Sequence, residues 1–204
     1  MNKMAFSNFE PFLKGKKVQP GELGGYSSIF EAKKDPNIYI KEIDEENIQK
    51  VIDEYNFLKQ NFGDFFPKNQ LVIAGKDKDN ARAYILMEKV NAETITKENK
   101  NIFLKSLFEF LEKIVNFYIK NSSFNEKHNE IMGEVIDFYP RNLIFRKTKG
   151  DKQPHLYCID NYPSLYISKK QLIEILSEVD KYFHISETQY GPKLLNLILK
   201  VQQL

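Results

Sequence analysis

Short apolar runs, bounded by turn-forming residues, occupy the first ninety positions of the chain. They predict five strands, at residues 17–23, 26–33, 37–43, 70–74 and 81–89. The pair Gly24-Gly25 and the sequence Asp35-Pro36-Asn37 provide turn signals between the first three strands. Residues 45–60 carry apolar side chains at spacings of three and four, which is typical of an amphipathic helix. This part of the chain is therefore predicted to be an antiparallel meander with one helix.

The periodicity becomes helical near residue 92. A long helix is predicted, with one apolar face formed by Phe103, Leu104, Leu107, Phe108, Leu111, Ile114, Val115 and Tyr118. Two short strands are predicted at residues 142–146 and 155–159, and two helices after them. Ser168 and Gln171 can form a capping box on the first helix, and Pro192 suits the first turn of the second. Because the pattern changes near residue 90, we expect an N-terminal lobe at 1–90 and a C-terminal lobe at 91–204.

The composition is that of a folded protein. Of 204 residues, 42% are hydrophobic and 13% aromatic, which is enough for a core. Lys and Arg number 30 against 28 Asp and Glu, so no general attraction to nucleic acid or to an anionic membrane is expected. The single cysteine, Cys158, excludes an internal disulfide and favours a reducing compartment. With no signal peptide and no apolar run of about 18 residues, a soluble cytoplasmic protein without a membrane span is expected.

The segment DFYPRN at residues 137–142 carries the most informative pattern. An aspartate stands five positions before an asparagine that opens an apolar strand, so one loop can present a base and a metal ligand together. This resembles the catalytic loop of protein kinases, where the aspartate takes or orients the proton of the attacking hydroxyl and the asparagine binds Mg²⁺. The resemblance implies that Asp137 is the base and Asn142 a metal ligand. The alternative is a turn in which both side chains cap backbone groups.

Two further residues extend this resemblance. Asp160, directly after the predicted strand 155–159, stands where kinases carry a second metal-binding aspartate, although Asn161-Tyr162 replaces the usual Phe-Gly. Arg141 stands four positions after Asp137, where tyrosine kinases carry an arginine that can stabilise charge on the transferring phosphoryl group. The alternatives are a strand-terminating turn at Asp160 and a surface arginine that caps backbone groups.

The segment GELGGYSSIFEA at residues 21–32 resembles a degenerate glycine-rich loop of the kinase nucleotide lobe. Close approach of the backbone to ATP phosphates needs positions without a Cβ atom. The resemblance implies ATP contacts from Gly24, Gly25, Ser27 and Ile29. A plain hairpin turn at the glycine pair is the alternative.

Three later positions also resemble that lobe. Lys41 matches the lysine of the Val-Ala-Ile-Lys strand, and Glu54, on the predicted helix, has the spacing of its partner glutamate. A lysine and a glutamate on solvated surfaces are the alternative. Segment 83–90 resembles the strand that leads to the kinase hinge, which implies a gatekeeper role for Met87 and adenine contacts from the backbone of Glu88 and Val90.

All of these motifs occur in the order of the kinase family, each on the element that its role requires. The resemblance implies an α+β, bilobal protein-kinase-like fold with a five-stranded antiparallel N-lobe plus one helix and a truncated helical C-lobe. It also implies an ATP- and Mg²⁺-dependent phosphotransferase acting on a hydroxyl group of a protein or a small molecule. Within that family the chain resembles small bacterial kinase-like proteins of the YrbL type and compact bacterial kinase effectors, which implies the bacterial cytosol or a host cytosol.

The sequence departs from the family at two places. Val135-Ile136 replaces the usual His-Arg before the catalytic aspartate, so control by phosphorylation of an activation loop is not expected. Residues 161–204 contain no Ala-Pro-Glu motif and leave little room for a substrate-docking subdomain. The alternative function is therefore a nucleotide-binding pseudokinase that acts as a regulatory or interaction module.

Overall fold

The computed structural model describes residues 29–32, 35–43, 47–74, 81–90, 92–146, 154–159 and 165–204. The predicted strand at 17–23 and the candidate residues Gly24, Gly25, Ser27 and Asp160 lie outside these ranges. The chain divides into two compact units, Met1–Val90 and Asn91–Leu204. Within the described ranges, no helix has the length and apolar character needed to cross a membrane.

The first unit contains a four-stranded antiparallel sheet among its described residues. Its strands, in sheet order, are β1 (Ile29–Ala32), β2 (Asp35–Ile43), β4 (Arg82–Glu88) and β3 (Asn69–Ala74). Helix α1 (Ile48–Phe62) connects β2 to β3 and packs against β3 and β4. Four of the five predicted strands and the predicted helix thus correspond to elements of the structure, with ends shifted by a few residues.

The turn predicted at residues 35–37 is wrong, because β2 already begins at Asp35. A shift in register between Glu31 and Ala32 allows Asp35 to pair with Ala32. The Asp35 carboxylate accepts a hydrogen bond from the N–H of Asn37 (2.9 Å). Pro36, which has no N–H, lies near the start of the strand, where a proline is tolerated. Turn-forming residues therefore occupy a strand end here.

The central strands β2 and β4 are buried on both faces. Consecutive residues are therefore inaccessible in each: Ile40 and Lys41 in β2, and Ala83, Tyr84 and Ile85 in β4. Side chains that follow one another in a strand point to opposite faces, so both faces of the sheet are covered at this level. The buried residues of α1, at helical spacing, are Val51, Tyr55, Leu58 and Phe62.

Among its described residues, the second unit combines three α-helices with five short strands. The helices are α2 (Lys100–Asn121), α3 (Lys169–Phe183) and α4 (Gly191–Gln202). One antiparallel sheet has the order β5 (Ser123–Asn125), β6 (Glu130–Val135), β9 (Leu165–Ser168), and a second pairs β7 (Leu143–Arg146) with β8 (His155–Cys158). The prediction of β7 and β8 is confirmed. The prediction of an otherwise helical unit is wrong, because β5, β6 and β9 form a sheet that periodicity did not indicate.

Helix α2 anchors both sheets of this unit. The buried hydroxyl of Ser106 accepts a hydrogen bond from the N–H of Leu156 in β8 (3.1 Å). The hydroxyl of Tyr118 donates to the carbonyl of Ile131 in β6 (3.0 Å). Seven of the eight residues predicted for its apolar face are buried, whereas Phe108 is half-buried and Phe110 fully buried. A single long helix therefore sets the positions of β6 and β8.

The ends of the two last helices follow local rules. The hydroxyl of Ser168 accepts from the N–H of Gln171 (3.2 Å), and the Gln171 side chain accepts from the N–H of Ser168 (2.8 Å), so the predicted capping box is confirmed. Pro192 lies in the first turn of α4, as predicted. Helix α3 ends at Phe183 and is followed by the capping residue His184, which has a left-handed backbone (φ 53°, ψ 45°).

Candidate catalytic loop

The segment between β6 and β7 alternates between buried and half-buried side chains. Ile136 and Phe138 are 1% and 0% exposed, whereas Asp137 and Tyr139 are half-buried. In an extended chain, residues two apart share a face, so Asp137 and Tyr139 lie on the opposite side from the two apolar residues. The Phe138 ring packs edge-on against Phe110 of α2, with ring centroids 6.3 Å apart. Burial of Phe138 thereby fixes the side of the segment on which Asp137 lies.

The peptide carbonyl of Asp137 accepts hydrogen bonds from two side chains. The Asn142 amide nitrogen Nδ2 donates to it at 3.3 Å, and the Cys158 thiol donates to it at 3.3 Å. The Asp137 carboxylate oxygen Oδ1 also accepts from the N–H of Tyr139, at 3.4 Å. Three hydrogen bonds thus hold the loop at Asp137, the residue that the sequence identifies as the candidate base.

Asn142 is 7% exposed and ends a short 3₁₀ turn, Pro140–Asn142. Its N–H donates to the carbonyl of Tyr139 (2.8 Å), and its own carbonyl accepts from the N–H of Ile159 (2.8 Å). Because Nδ2 donates to Asp137, the amide oxygen Oδ1 is turned away from that contact. Within the described part of the chain, this oxygen accepts no hydrogen bond. The side chain can therefore present an oxygen to a cation.

The pairing of β7 with β8 brings Asn142 and Ile159 together. Leu143, directly after Asn142, pairs with Cys158, and the bond from Ile159 to Asn142 extends this pairing by one step. Asp160, the next residue in the chain, lies outside the described ranges. Among the residues that the structure does describe, no group of three or more His, Cys, Asp and Glu side chains could hold a metal ion.

Arg141 and Tyr139 form a contact at the surface of the loop that the sequence did not predict. The guanidinium of Arg141, an exposed residue, lies 5.0 Å from the centre of the Tyr139 ring. Burial raises the pKa of the Tyr139 hydroxyl, the carboxylates of Glu178 and Asp137 raise it further, and Arg141 opposes the shift. Tyr139 therefore stays neutral near pH 7 and provides a flat apolar surface on which Arg141 is held.

Among the candidate residues of the first unit, Lys41 is 8% exposed. It lies on β2 and is paired with Ile29 of β1 and Ile85 of β4. A buried ammonium group needs polar or anionic partners to offset its loss of hydration. Glu54 is half-buried on α1, and its pairing with Lys41 stays a prediction.

The end of β4 carries the candidate hinge residues. Met87 is paired with Tyr39 of β2 and with Asn69 of β3. The N–H of Glu88 donates to the carbonyl of Lys68 (2.9 Å), so the backbone group that Glu88 could offer a ligand is its carbonyl. Val90 is half-buried at the end of the unit.

No family model and no curated protein matches the chain. Among solved structures, the chain is similar to the Legionella pneumophila Lpg2603 kinase bound to IP6, with 15% sequence identity and a TM-score of 0.37. The match covers 84% of this chain and spans 59% of the length of that one.

Proposed function

We propose that the chain is a protein-kinase-like phosphotransferase that uses ATP and Mg²⁺ to phosphorylate a hydroxyl group of a protein or a small molecule. The observation that carries the proposal is the contact between Asn142 Nδ2 and the Asp137 carbonyl, which closes the loop between β6 and β7. In this contact Nδ2, and not the amide oxygen, faces the carbonyl of Asp137, which is itself a half-buried residue. The bond from Ile159 to Asn142 brings the chain that leads into Asp160 to the same turn.

Each candidate residue of the second unit has a role in this proposal. The Asp137 carboxylate orients the acceptor hydroxyl and takes up its proton. The oxygens of Asn142 and Asp160 hold Mg²⁺, since this hard cation prefers carboxylate and amide oxygens. When bound, the ion supplies charge stabilisation at the phosphates. Arg141, held on the Tyr139 ring, is available to an anionic phosphoryl group.

The first unit supplies the nucleotide-binding groups of the proposal. The ammonium of Lys41, a buried residue, pairs with phosphate oxygens and with Glu54. Its burial supports this role, because a lysine that is 8% exposed needs polar or anionic partners to offset its loss of hydration. The remaining groups proposed to contact ATP are Gly24, Gly25, Ser27, Ile29, Met87, Glu88 and Val90.

The proposal is tested by phosphoryl transfer from labelled ATP with Mg²⁺ to a panel of protein and small-molecule hydroxyl acceptors. The test variant is Asp137→Asn, which keeps the side-chain shape but removes the base. Loss of a general base lowers kcat by about 10²-fold or more, so transfer should fall by at least that factor. The matched control is Glu134→Gln, an exposed residue of β6 three positions earlier, which should keep transfer within about two-fold of wild type.

Three outcomes bear on the alternatives. Transfer that persists in Asp137→Asn contradicts the role of Asp137. Thermal stabilisation of the wild-type chain by ATP, without transfer to any acceptor, supports the pseudokinase instead. Absence of any nucleotide binding overturns both functions.

A further inference from the structure

The fully buried Cys158 side chain contacts the backbone of the candidate base. Its thiol donates to the Asp137 carbonyl at 3.3 Å, and the side chain is 0% exposed. A thiol is a weak donor, and a buried cysteine behaves mainly as a small apolar group. Here, however, the thiol shares its acceptor with Asn142 Nδ2, which donates to the same carbonyl at the same distance.

Three hydrogen bonds join three segments of the chain in a closed arrangement. The Cys158 thiol and the Asn142 amide both donate to the Asp137 carbonyl, and the N–H of Ile159 donates to the Asn142 carbonyl. Cys158, the last residue of β8, and Ile159 are neighbours in the chain, so displacement of the Asp137 peptide group would disturb both the thiol contact and the bond from Ile159. Loss of the thiol would remove one of the two side-chain donors described for the Asp137 carbonyl, and rotation of that peptide group would be less restricted.

We propose that Cys158 is a positioning residue, whose thiol fixes the peptide group from which the Asp137 carboxylate projects and thereby aims this carboxylate at the acceptor hydroxyl. The inference rests on the proposed function, since it assigns Cys158 an effect on that reaction. Cys158 makes no contact with substrate in this scheme and acts through Asp137. Its effect is therefore expected in the chemical step and not in the binding of ATP.

The kinetic test uses Cys158→Ala, which removes the donor, and Cys158→Ser, which restores a donor in a smaller side chain. Ser106→Ala is the matched control, because Ser106 anchors the same strand through Leu156 and does not contact Asp137. We expect kcat to fall about three- to ten-fold in Cys158→Ala, with KM for ATP changed less than about two-fold. Cys158→Ser should recover most of the loss, and Ser106→Ala should lower the melting temperature with kcat nearly unchanged.

The contact itself can be measured without activity. Since the chain has one cysteine, the infrared S–H stretching band reports on Cys158 alone. We expect the band at lower wavenumber than that of a thiol in an apolar solvent, because the thiol donates to a carbonyl.

The outcomes separate this inference from the proposed function. An unshifted band overturns the inference whatever the activity. Equal losses of kcat in Cys158→Ala, Cys158→Ser and Ser106→Ala, each in step with the melting temperature, also overturn it and leave only a packing role. A shifted band in a wild-type chain without phosphoryl transfer supports the contact and overturns the proposed function.

Discussion

Replacement of Gly133 by alanine should destabilise the second unit through a local steric conflict. Gly133 lies in β6, and a Cβ atom built there would be 3.1 Å from both Cδ2 and Cε2 of the Tyr118 ring and 3.2 Å from Cα of Ser122. Carbon atoms in proteins prefer separations of about 3.5–4.0 Å, so three atoms would be too close at once. The effect is steric, since the φ of Gly133 is outside the left-handed region.

The neighbours of Gly133 have little freedom to move. The Tyr118 ring is tethered by the bond from its hydroxyl to the Ile131 carbonyl (3.0 Å). The Ser122 N–H is bonded to the carbonyl of Tyr118 (2.8 Å), at the end of α2. Overpacking of this kind costs about 1–3 kcal/mol, and the lower entropy of the unfolded alanine chain returns about 0.4–1 kcal/mol. We expect a net loss of about 1–2 kcal/mol in the free energy of unfolding.

Urea denaturation monitored by circular dichroism measures this loss. The matched control is Gly63→Ala, because Gly63 has a helical backbone (φ −55°, ψ −31°) and its added Cβ would meet only Lys59 Cγ, at 3.7 Å. That variant should be as stable as wild type or slightly more stable. In a Tyr118→Phe background, which frees the ring from its tether, the penalty of Gly133→Ala should be smaller. Wild-type stability of Gly133→Ala, or an equal penalty in both backgrounds, would refute the steric explanation.

Two further predictions concern alkaline pH and the end of α3. Burial raises the pKa of Tyr118 to about 12, with Glu130 and Tyr166 adding to the shift, whereas an unfolded tyrosine titrates near pH 10. The protonated Tyr118 hydroxyl contributes fully to the free energy of unfolding below about pH 10, and this contribution is lost as the pH rises through about 12. Urea titrations from pH 8 to 12 should therefore show a larger alkaline loss of stability for wild type than for Tyr118→Phe. Parallel curves for the two proteins would contradict this prediction. At the C-terminus of α3, His184→Gly should raise the free energy of unfolding by about 0.5–1 kcal/mol, because glycine adopts the left-handed conformation without the Cβ conflict. A lower melting temperature for His184→Gly would contradict that reason.

The sequence predicted correctly those elements that depend on interactions between residues close together in the chain. The apolar spacing of α2 and the capping box at Ser168 each depend on residues a few positions apart, and both are present in the structure. Strand β6 was missed because its six residues, EIMGEV, include a glycine and two glutamates and show no clear alternation. Its partners β5 and β9 have three and four residues, so tertiary pairing defines this sheet more than propensity does.

The sequence singled out candidate residues for the site but did not predict the contacts between them. The five-residue spacing singled out Asp137 and Asn142, and the structure shows that their contact runs through the backbone carbonyl of Asp137. The thiol bond from Cys158 could not be predicted, because it depends on the register of β8 against β7. The contact between Arg141 and Tyr139 likewise depends on the 3₁₀ turn Pro140–Asn142, which contains Arg141 and begins directly after Tyr139.

The bond from Leu156 to Ser106 has a consequence for the edge of strand β8. A two-stranded sheet has two open edges, and unpaired N–H groups along an edge can recruit a strand from another molecule and start aggregation. In β8 the N–H of Leu156 is already occupied by a helix hydroxyl, and Leu156 itself is fully buried. An incoming strand would have to displace α2 at this point. Ser106, a single polar residue in an otherwise apolar helix face, therefore opposes the pairing of β8 with a strand of another molecule at Leu156.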